Sequence, residues 1–396
     1  MGETRLPRTP PGAPTRKARL LTALVGGRPE IMPVAPLYLS LYLARARHEA
    51  QARLWRERAQ AAGGSLPVTW DDDLTVQREA WYEGFELFDG PPDWLFAPLV
   101  PGRASLDGCR VEVDDAGCFW VDGNGQRSQL DAPYSDRLAP LWEAADPPTS
   151  VAEVASRLAI ADPHALDGSG CFDLVRSLIA EVGEEYALCW HTGAPYCAAY
   201  AHLGFRGMML ALREQPQVSL AIAERSLRNS VAWASAARNA GLEVVFVEEW
   251  ACSADLISPR DYRTFAWPFE RDLCRELKAL GLKIVFYFCG AIEDRLAELA
   301  ALEADALAFE ESKKGFTIDL GAVRRQSGPD RCLFGNIDIV KVRDGSEKTI
   351  RQEVGRQIEQ AGPRAFVTSI GSPLTLDTPP QQVDRLMQAA RAYPGA

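Results

Sequence analysis

The chain has 396 residues, and its 47% content of apolar residues is enough for a large hydrophobic core in one large domain or two average ones. Its net charge of −11 argues against nucleic acid and anionic membrane surfaces as partners, since both need clustered Lys and Arg. No apolar run approaches the length of a membrane span, which is about 18 residues. The nine cysteines are irregularly spaced, which does not suit a disulfide framework. We therefore expect a reduced, cytoplasmic protein.

The first residues differ in composition from the rest of the chain. Residues 1–17 contain four prolines and the basic residues Arg5, Arg8, Arg16 and Lys17. A targeting arm is one interpretation, but no apolar segment with a cleavage site follows. We expect a disordered tail over residues 1–17, because a segment with few apolar side chains buries too little surface to fold. Residues 18–396 are expected to form a single domain.

The segment before residue 130 contains two predicted strands and a predicted insertion. Residues 31–36 indicate a first strand, and residues 66–70 indicate a second strand that ends at Asp71, Asp72 and Asp73. Residues 109–130 have a different sequence pattern. Apolar and polar residues alternate at 110–114, and a second run at 118–121 can pair with the first. We expect a β-hairpin over about residues 109–130, inserted between barrel elements.

From residue 150 onward, strands and helices alternate regularly. The run at 283–289 is largely apolar, follows Gly281 and stops at Gly290, which is typical of a strand covered by helices on both faces. Counting such runs gives eight strand starts, at residues 31, 66, 185, 243, 283, 305, 332 and 365. Eight strand–helix units favour a single (β/α)₈ TIM-type barrel of the α/β class over an open sheet.

The carboxyl ends of parallel strands meet at one rim, where the chemistry of such folds collects. Each rim residue also has an ordinary structural interpretation: Asp72 can cap a helix, His191 can be a hydrogen-bonded histidine, and Cys289 can be a small buried hydrophobe. Converging acidic groups would raise one another's pKa, which suits acid–base or cation-binding chemistry. The predicted rim residues are Asp72, His191, Glu248 or Glu249, Tyr287, Cys289, Glu310 or Glu311, Asn336, Asp338 and Ser372.

Several short motifs resemble those of a known superfamily. They are Leu203-Gly204-Phe205-Arg206-Gly207, Ser258-Pro259-Arg260-Asp261-Tyr262, Phe334-Gly335-Asn336-Ile337-Asp338 and Asp377-Thr378-Pro379-Pro380. With these motifs the chain resembles the uroporphyrinogen decarboxylase superfamily over most of residues 17–394. That superfamily holds tetrapyrrole decarboxylases and zinc-dependent methyltransferases that serve corrinoid proteins, and the resemblance implies its (β/α)₈ barrel.

The decarboxylase branch of the superfamily is matched only in part. The resemblance puts its catalytic aspartate on Asp72 and puts Ser372 where that branch has a histidine. The arginine-rich segment that handles the substrate's carboxylates is absent, and residues 38–42 read Tyr-Leu-Ser-Leu-Tyr there. A polyanionic tetrapyrrole would meet repulsion without those arginines.

The methyltransferase branch holds zinc with a His-x-Cys motif and a later cysteine. In this chain the first motif reads Tyr287-Phe288-Cys289, and the later position falls near Ser372. Corrinoid-independent methionine synthases add a glutamate, which matches Glu311. The resemblance therefore implies zinc ligation by Cys289 and Glu311. Tyr287 as a third ligand would cost about 4 kcal/mol to ionise, and the other candidates are Glu249, His191 and Cys252.

The leading hypothesis is an enzyme that transfers a methyl group between a small substrate and a thiol or corrinoid acceptor. Cys289 would be a metal ligand or the nucleophile, beside Tyr287. Asp72 and Glu249 would orient the substrate or act as acid and base. A corrinoid protein and a second copy of the chain, in a homodimer, are the expected macromolecular partners. Substrate contacts are expected from His191, Asn336, Asp338 and Ser372.

Two other functions stay open at this point. The first is metal-free decarboxylation of a porphyrin-type substrate at Asp72, with Tyr287 and Ser372 as hydrogen-bond donors. The second is binding of a tetrapyrrole or corrinoid without turnover.

Overall fold

Short buried strands form the centre of the molecule. The structure is a computed structural model, and it describes residues 5–135, 140–313 and 315–393. Its strands are β1 (Ser65–Pro67), β2 (Trp94–Phe96), β3 (Arg110–Asp114), β4 (Gly117–Val121), β5 (Arg127–Gln129), β6 (Ala187–Gly193), β7 (Val244–Glu249), β8 (Lys283–Phe288), β9 (Ala306–Phe309), β10 (Cys332–Phe334) and β11 (Phe366–Val367).

Helices cover the outside of these strands. Three short segments have other helical forms: 3₁₀ at Arg103–Leu106 and Pro195–Cys197, and π at Tyr262–Ala266. None of the described helices is both long and apolar enough to cross a membrane. The α-helices are α1 (Arg16–Leu24), α2 (Leu39–Tyr42), α3 (Ala44–Ala61), α4 (Trp70–Phe85), α5 (Val151–Arg157), α6 (Pro163–Gly168), α7 (Asp173–Val182), α8 (Ala198–Glu214), α9 (Pro216–Asn239), α10 (Pro259–Asp261), α11 (Trp267–Ala279), α12 (Leu296–Ala300), α13 (Leu320–Ser327), α14 (Ile339–Asp344), α15 (Glu347–Ala361) and α16 (Pro380–Arg391).

Seven strands form one parallel, curled sheet in the order β11-β10-β9-β8-β7-β6-β2. The segment at 33–35 lies between the two edges of this sheet. Val34 bridges in parallel to Thr368, beyond β11, and its carbonyl accepts a 2.8 Å hydrogen bond from the backbone of Asp93, beside β2. These contacts join the edges into a barrel-like ring, so the predicted α/β class and parallel sheet are confirmed.

The predicted strand at 66–70 is wrong as a barrel strand. Its first part is β1, which pairs antiparallel with β3 in a separate four-stranded sheet of order β1-β3-β4-β5. The barrel position belongs instead to β2, a three-residue run that is buried throughout. A run this short carries little sequence signal, whereas β1 has a half-exposed pattern that suits a sheet with one solvated face.

The small sheet contains the two runs of the predicted hairpin. Strands β3 and β4 pair antiparallel, with Val111 opposite Trp120. One face of the sheet packs on α3 and α4 through a second hydrophobic cluster that includes Trp55 and Val76. The Gly-rich segment at 122–125 connects β4 to β5, and Asp122 accepts hydrogen bonds from the backbone within that turn.

The expected disordered tail is packed where the structure describes it. Residues 1–4 lie outside the described residues. Leu6 is buried in the main core, and Arg5 forms ion pairs with Glu79 (2.5 Å) and Glu86 (2.7 Å). The first helix begins at Arg16 with Thr15 as its N-cap. Arg5, Arg16 and Lys17 therefore bind acidic partners on the body of the protein.

Aromatic rings fill the interior of the barrel below its carboxyl-end rim. Phe246 lies 5.3 Å from Tyr38, 5.9 Å from Trp94 and 5.9 Å from Tyr287, measured between ring centroids. Since successive side chains of a strand point to opposite faces, Glu248 shares the interior face of β7 with Phe246. In the same way Cys289, directly after β8, lies on the interior face with Tyr287.

Candidate active site at the mouth of the barrel

A histidine and a glutamate pair at the ends of two neighbouring strands. The Nε2 atom of His191, on β6, lies 2.9 Å from Oε2 of Glu248, on β7. The His191 side chain is 45% exposed and its ring lies 5.3 Å from that of Phe246. The pair can hold and deliver a proton to a ligand at the mouth. Sequence reasoning considered Glu248 and then chose Glu249, which faces the other way.

Two buried tyrosines lie next to this pair. Tyr38 has a left-handed backbone conformation (φ 57°), which is uncommon for a residue other than Gly, Asn or Asp. Its ring contacts that of Tyr287 at 5.3 Å. Burial, followed by the neighbouring Tyr287 and Glu248, raises the pKa of Tyr38 well above its usual value. Both tyrosines therefore stay protonated as hydrogen-bond donors near pH 7.

Cys289 is the accessible thiol of the chain. All nine cysteines are among the described residues; none forms a disulfide, eight are buried, and Cys289 is partly exposed. Its backbone donates a 2.8 Å hydrogen bond to the carbonyl of Glu249. Cys289 also contributes to raising the pKa of Tyr287, after burial, so the thiol and the phenol are close. The hydroxyl of Tyr287 donates to the carbonyl of Gly371 at 2.8 Å.

The chain turns sharply after Cys289, and only glycine suits the turn. Gly290 has φ +91°, and a Cβ atom there would lie 2.5 Å from the side chain of Ser253. The backbone of Gly290 donates to Oε2 of Glu310 at 2.9 Å. This turn ends β8 and fixes the position of the thiol at the rim.

Lys313, which is not among the predicted rim residues, is central to the next part of the rim. The Nζ atom of Lys313 lies 2.5 Å from Oε1 of Glu310 and 3.1 Å from Oε1 of Glu311, and it donates to Ser372 Oγ at 2.7 Å. Both carboxylates are nearly fully buried. Burial opposes the charge of Lys313, but the two glutamates outweigh it and its pKa is raised. The ammonium is therefore the counterion of these carboxylates.

This arrangement suits the predicted zinc ion poorly. Glu311 and Ser372, two of the positions that the resemblance assigns to ligands, bind the Lys313 ammonium. Burial raises the pKa of Tyr287 further, which makes phenolate ligation more costly than expected. Among the described residues, the side chains that converge as a potential metal site do not include Cys289. Zinc ligation by Cys289 and Glu311 therefore stays a prediction without support from the donor geometry.

Arg47 is a residue that sequence reasoning missed. It lines a cavity of about 250 Å³ at the rim, together with Ser40, Phe96, Trp190 and His191. Its Nε atom is buried without a hydrogen-bond partner, and burial lowers the pKa of the guanidinium. No carboxylate among the described residues forms an ion pair with it, so a bound anion would neutralise it. Arg47 lies on the Arg-rich helix α3, where the sequence alone does not distinguish one arginine from the others.

Asp72 lies away from the mouth of the barrel. It belongs to the first turn of α4, where Thr69 is the N-cap and donates from its Oγ1 atom to Asp72 Oδ2 at 2.6 Å. Its Oδ1 atom forms a 2.6 Å ion pair with Arg58 of α3. Thr69, and not Asp72, is therefore the N-cap, and Asp72 is held in the first turn by Thr69 and Arg58. The strand before Asp72 belongs to the small sheet, which is why its carboxylate does not reach the mouth of the barrel.

Asn336 and Asp338 lie beyond β10 and have structural partners. Asn336 exchanges hydrogen bonds with Gln357 and donates to the carbonyl of Glu310 at 3.0 Å. Asp338 caps α14 through the backbone of Val340. Both line a second cavity of about 370 Å³, which also includes Glu311. Asn336 thus supports the Glu310 segment, and neither residue lines the cavity of Arg47.

Comparisons with known proteins give relatives of this chain by sequence and by fold. A family model described as uroporphyrinogen decarboxylase (URO-D) matches residues 143–393. The uroporphyrinogen decarboxylase of Paracoccus denitrificans is 28% identical over 386 residues, which cover 94% of this chain and 98% of that protein. That of Trichodesmium erythraeum is 25% identical over 228 residues, 55% of this chain and 62% of the relative, so the alignment spans less than two thirds of its length.

A solved structure shares the fold. A methyltransferase from Methanosarcina mazei superposes with a TM-score of 0.63 and 17% sequence identity, over 95% of this chain and 98% of that one. At this identity the likeness concerns the fold alone.

Proposed function

Because this chain belongs to the uroporphyrinogen decarboxylase family, we propose that it is an enzyme that transfers a methyl group between a small anionic substrate and a corrinoid or thiol acceptor. One observation carries the proposal: Cys289 is the accessible thiol of the chain, and it lies at the rim where the catalytic groups of parallel barrels collect. The known members of the superfamily that the sequence resembles are enzymes. A corrinoid protein is the proposed macromolecular partner.

The proposed chemistry is nucleophilic displacement by the thiolate of Cys289. The thiol first loses its proton to solvent. In the first half-reaction the sulfur forms a bond to the methyl carbon, and the bond from that carbon to the donor breaks with its electron pair on the donor. If the donor were a methylcorrinoid, it would supply the methyl group and keep the electron pair of the broken bond, so no external reductant would be needed. In the second half-reaction the acceptor bonds to the methyl carbon and Cys289 leaves as thiolate.

The second half-reaction is expected to be the slower one. A thioether is a poor methyl donor, so methylated Cys289 should accumulate before the acceptor removes the methyl group. A burst followed by slower turnover is the kinetic signature of such a covalent intermediate. No step uses a metal at Cys289.

The cavity at Arg47 supports an anionic substrate. The guanidinium of Arg47 has no ion-pair partner among the described residues, and its Nε atom is buried without a hydrogen bond, where an unpaired charge is costly. A carboxylate or phosphate group would pair with it in a two-pronged geometry. His191, paired with Glu248, lines the same cavity and can protonate a leaving atom of the substrate.

Methylcobalamin is the probe for the first half-reaction. We expect the purified chain to demethylate it, seen as loss of its absorbance spectrum under anaerobic conditions, and we expect Cys289→Ser to abolish this. Cys109→Ser, which removes a buried thiol next to the small sheet, is the matched control and should keep the activity. Full activity of Cys289→Ser would overturn the proposal. A spectral shift without demethylation would identify binding without turnover.

Metal-free decarboxylation is the second candidate. It is favoured by Arg47 and His191 in one cavity, since one can bind a carboxylate and the other can supply a proton. The predicted site of this reaction at Asp72 is not supported by the place of that residue on α4, where it pairs with Arg58. Release of carbon dioxide from uroporphyrinogen by wild type, and its loss in Arg47→Met, would favour this reaction over methyl transfer.

A further inference from the structure

A second group of reactive side chains lies outside the barrel, between β7 and the helices. Glu249, Cys252 and Glu270 are all buried, and each has a potential ligand atom within 4.8 Å of those of the other two. Glu249 ends β7 on the face opposite Glu248, and Glu270 is on α11. Since Cys289 and Glu248 face the interior, the β-sheet separates this group from the mouth.

Two polar atoms at this group are buried and have no hydrogen-bond partner. They are Oε2 of Glu249 and the hydroxyl of Tyr196. The neighbours that act electrostatically on Tyr196 include Cys252, Glu249 and Cys197, so this hydroxyl lies in the neighbourhood of the group. Buried polar atoms in folded proteins almost always have a partner. Two unpartnered buried atoms in one neighbourhood therefore indicate a ligand.

The other atoms of these side chains are held in place. Oε1 of Glu249 accepts hydrogen bonds from the backbone of Ala251 at 2.7 Å and from the thiol of Cys197 at 3.0 Å. Oε2 of Glu270 accepts a 2.7 Å hydrogen bond from the hydroxyl of Tyr262, which belongs to the π-helical segment. Partners of this kind orient metal ligands in known sites, and π-helical turns are frequent at functional sites.

The group has two buried carboxyl groups, and burial raises the pKa of both Glu249 and Glu270. Arg295 is the nearby buried cation, but its hydrogen bonds go to the carbonyl of Cys252, the carbonyl of Ile257 and the carboxylate of Asp294. None of these bonds reaches Glu249 or Glu270. Two carboxylates in a dry site need a further cation or a proton.

We propose that Glu249, Cys252 and Glu270 bind one zinc ion, with Cys197 as the fourth ligand. Thiolate and carboxylate oxygen are both zinc ligands, and a closed, buried site with four protein ligands is typical of a structural zinc. With usual zinc bond lengths, tetrahedral ligand atoms lie about 3.3–3.8 Å apart. The separations of up to 4.8 Å among Glu249, Cys252 and Glu270 therefore need to contract by about 1 Å. The thiol of Cys197, which lies 3.0 Å from Oε1 of Glu249, has to turn from that oxygen toward the ion. Binding releases the two thiol protons to solvent.

The proposal is tested by metal analysis of the full chain, expressed with zinc in the medium and then dialysed against a chelator. We expect one equivalent of zinc per chain. Cys252→Ser and Glu249→Gln should lower bound zinc by about tenfold or more. Cys289→Ser and Glu311→Gln, which alter the mouth, should keep one equivalent. The inference is independent of methyl transfer, so either can fail alone.

Cobalt substitution keeps the test decisive if a variant fails to fold. Wild-type protein refolded with Co²⁺ should show a charge-transfer absorption from thiolate to cobalt. The control variant Cys332→Ser, which replaces a buried cysteine on β10, should retain this absorption. Cys252→Ser should lose part of this absorption. Wild type without stoichiometric zinc and without the cobalt absorption would overturn the proposal. Loss of the metal in Cys289→Ser with retention in Cys252→Ser would also overturn it.

Discussion

Replacing Lys313 by methionine removes the counterion of two buried carboxylates at the mouth. Its Nζ atom lies 2.5 Å from Glu310 and 3.1 Å from Glu311. At an effective dielectric constant of about 20, unit charges about 3 Å apart attract by about 5–6 kcal/mol before desolvation is counted. Removing one partner of a buried pair costs about 3–5 kcal/mol, and we discount this to about 2–3 kcal/mol because the Lys313 side chain is 30% exposed.

Denaturant unfolding, followed by tryptophan fluorescence, measures this cost as the shift in midpoint between wild type and Lys313→Met. Lys341→Met is the matched control, because the Lys341–Glu353 pair has a similar distance of 3.0 Å but a lysine that is 46% exposed. We expect the control to cost about 1 kcal/mol or less. Adding Glu311→Gln to Lys313→Met should restore part of the lost stability. Equal costs for the two lysine variants would refute the reasoning.

The stability difference between wild type and Lys313→Met depends on pH in a defined direction. The pKa of Lys313 is raised in the folded chain. A raised pKa means that the ammonium stabilises the fold fully below the unfolded value of about 10.4, and that this contribution is lost as the pH rises through the folded value. Wild type should therefore keep its advantage over Lys313→Met from neutral pH to about pH 10 and lose it above.

Three further substitutions test other parts of the account. Arg47→Met should raise KM for an anionic substrate by about tenfold or more, with a smaller change in kcat, in steady-state kinetics, since it removes a charge-assisted contact. Gly290→Ala should destabilise the fold by about 1–3 kcal/mol in denaturant unfolding, because φ is +91° and the new Cβ would meet Ser253. Asp72→Asn should leave kcat unchanged, since Asp72 binds Arg58 on the helical surface; a loss of turnover would return it to the catalytic group.

The barrel strands could be predicted where they are long and apolar. Strand β8 was predicted within one residue, and its alternation placed Tyr287 and Cys289 on one face. The strand at 66–70 was misplaced because its true partner, β3, is about 45 residues away in sequence. Pairing over such a distance is decided by packing on α3 and α4, which local pattern does not show.

The choice between Glu248 and Glu249 shows why the site was predicted only in part. Both end the same strand, and one residue of register exchanges the interior face for the helix-covered face. Phe246 fixes the register, because it packs inside the barrel against Tyr38 and Tyr287 and so places Glu248 on the interior face. Lys313 and Arg47 were missed because their roles depend on how deeply they and their neighbours are buried, which the local sequence does not show. The resemblance to the URO-D superfamily is confirmed by the family match.

The central claim is that Cys289 accepts the methyl group, and mass spectrometry of the protein tests it most directly. After anaerobic incubation with methylcobalamin and no acceptor, the account predicts that the peptide carrying Cys289 gains one methyl group, while the eight buried cysteines stay unmodified. Demethylation of the corrinoid with Cys289 left unmodified would contradict it.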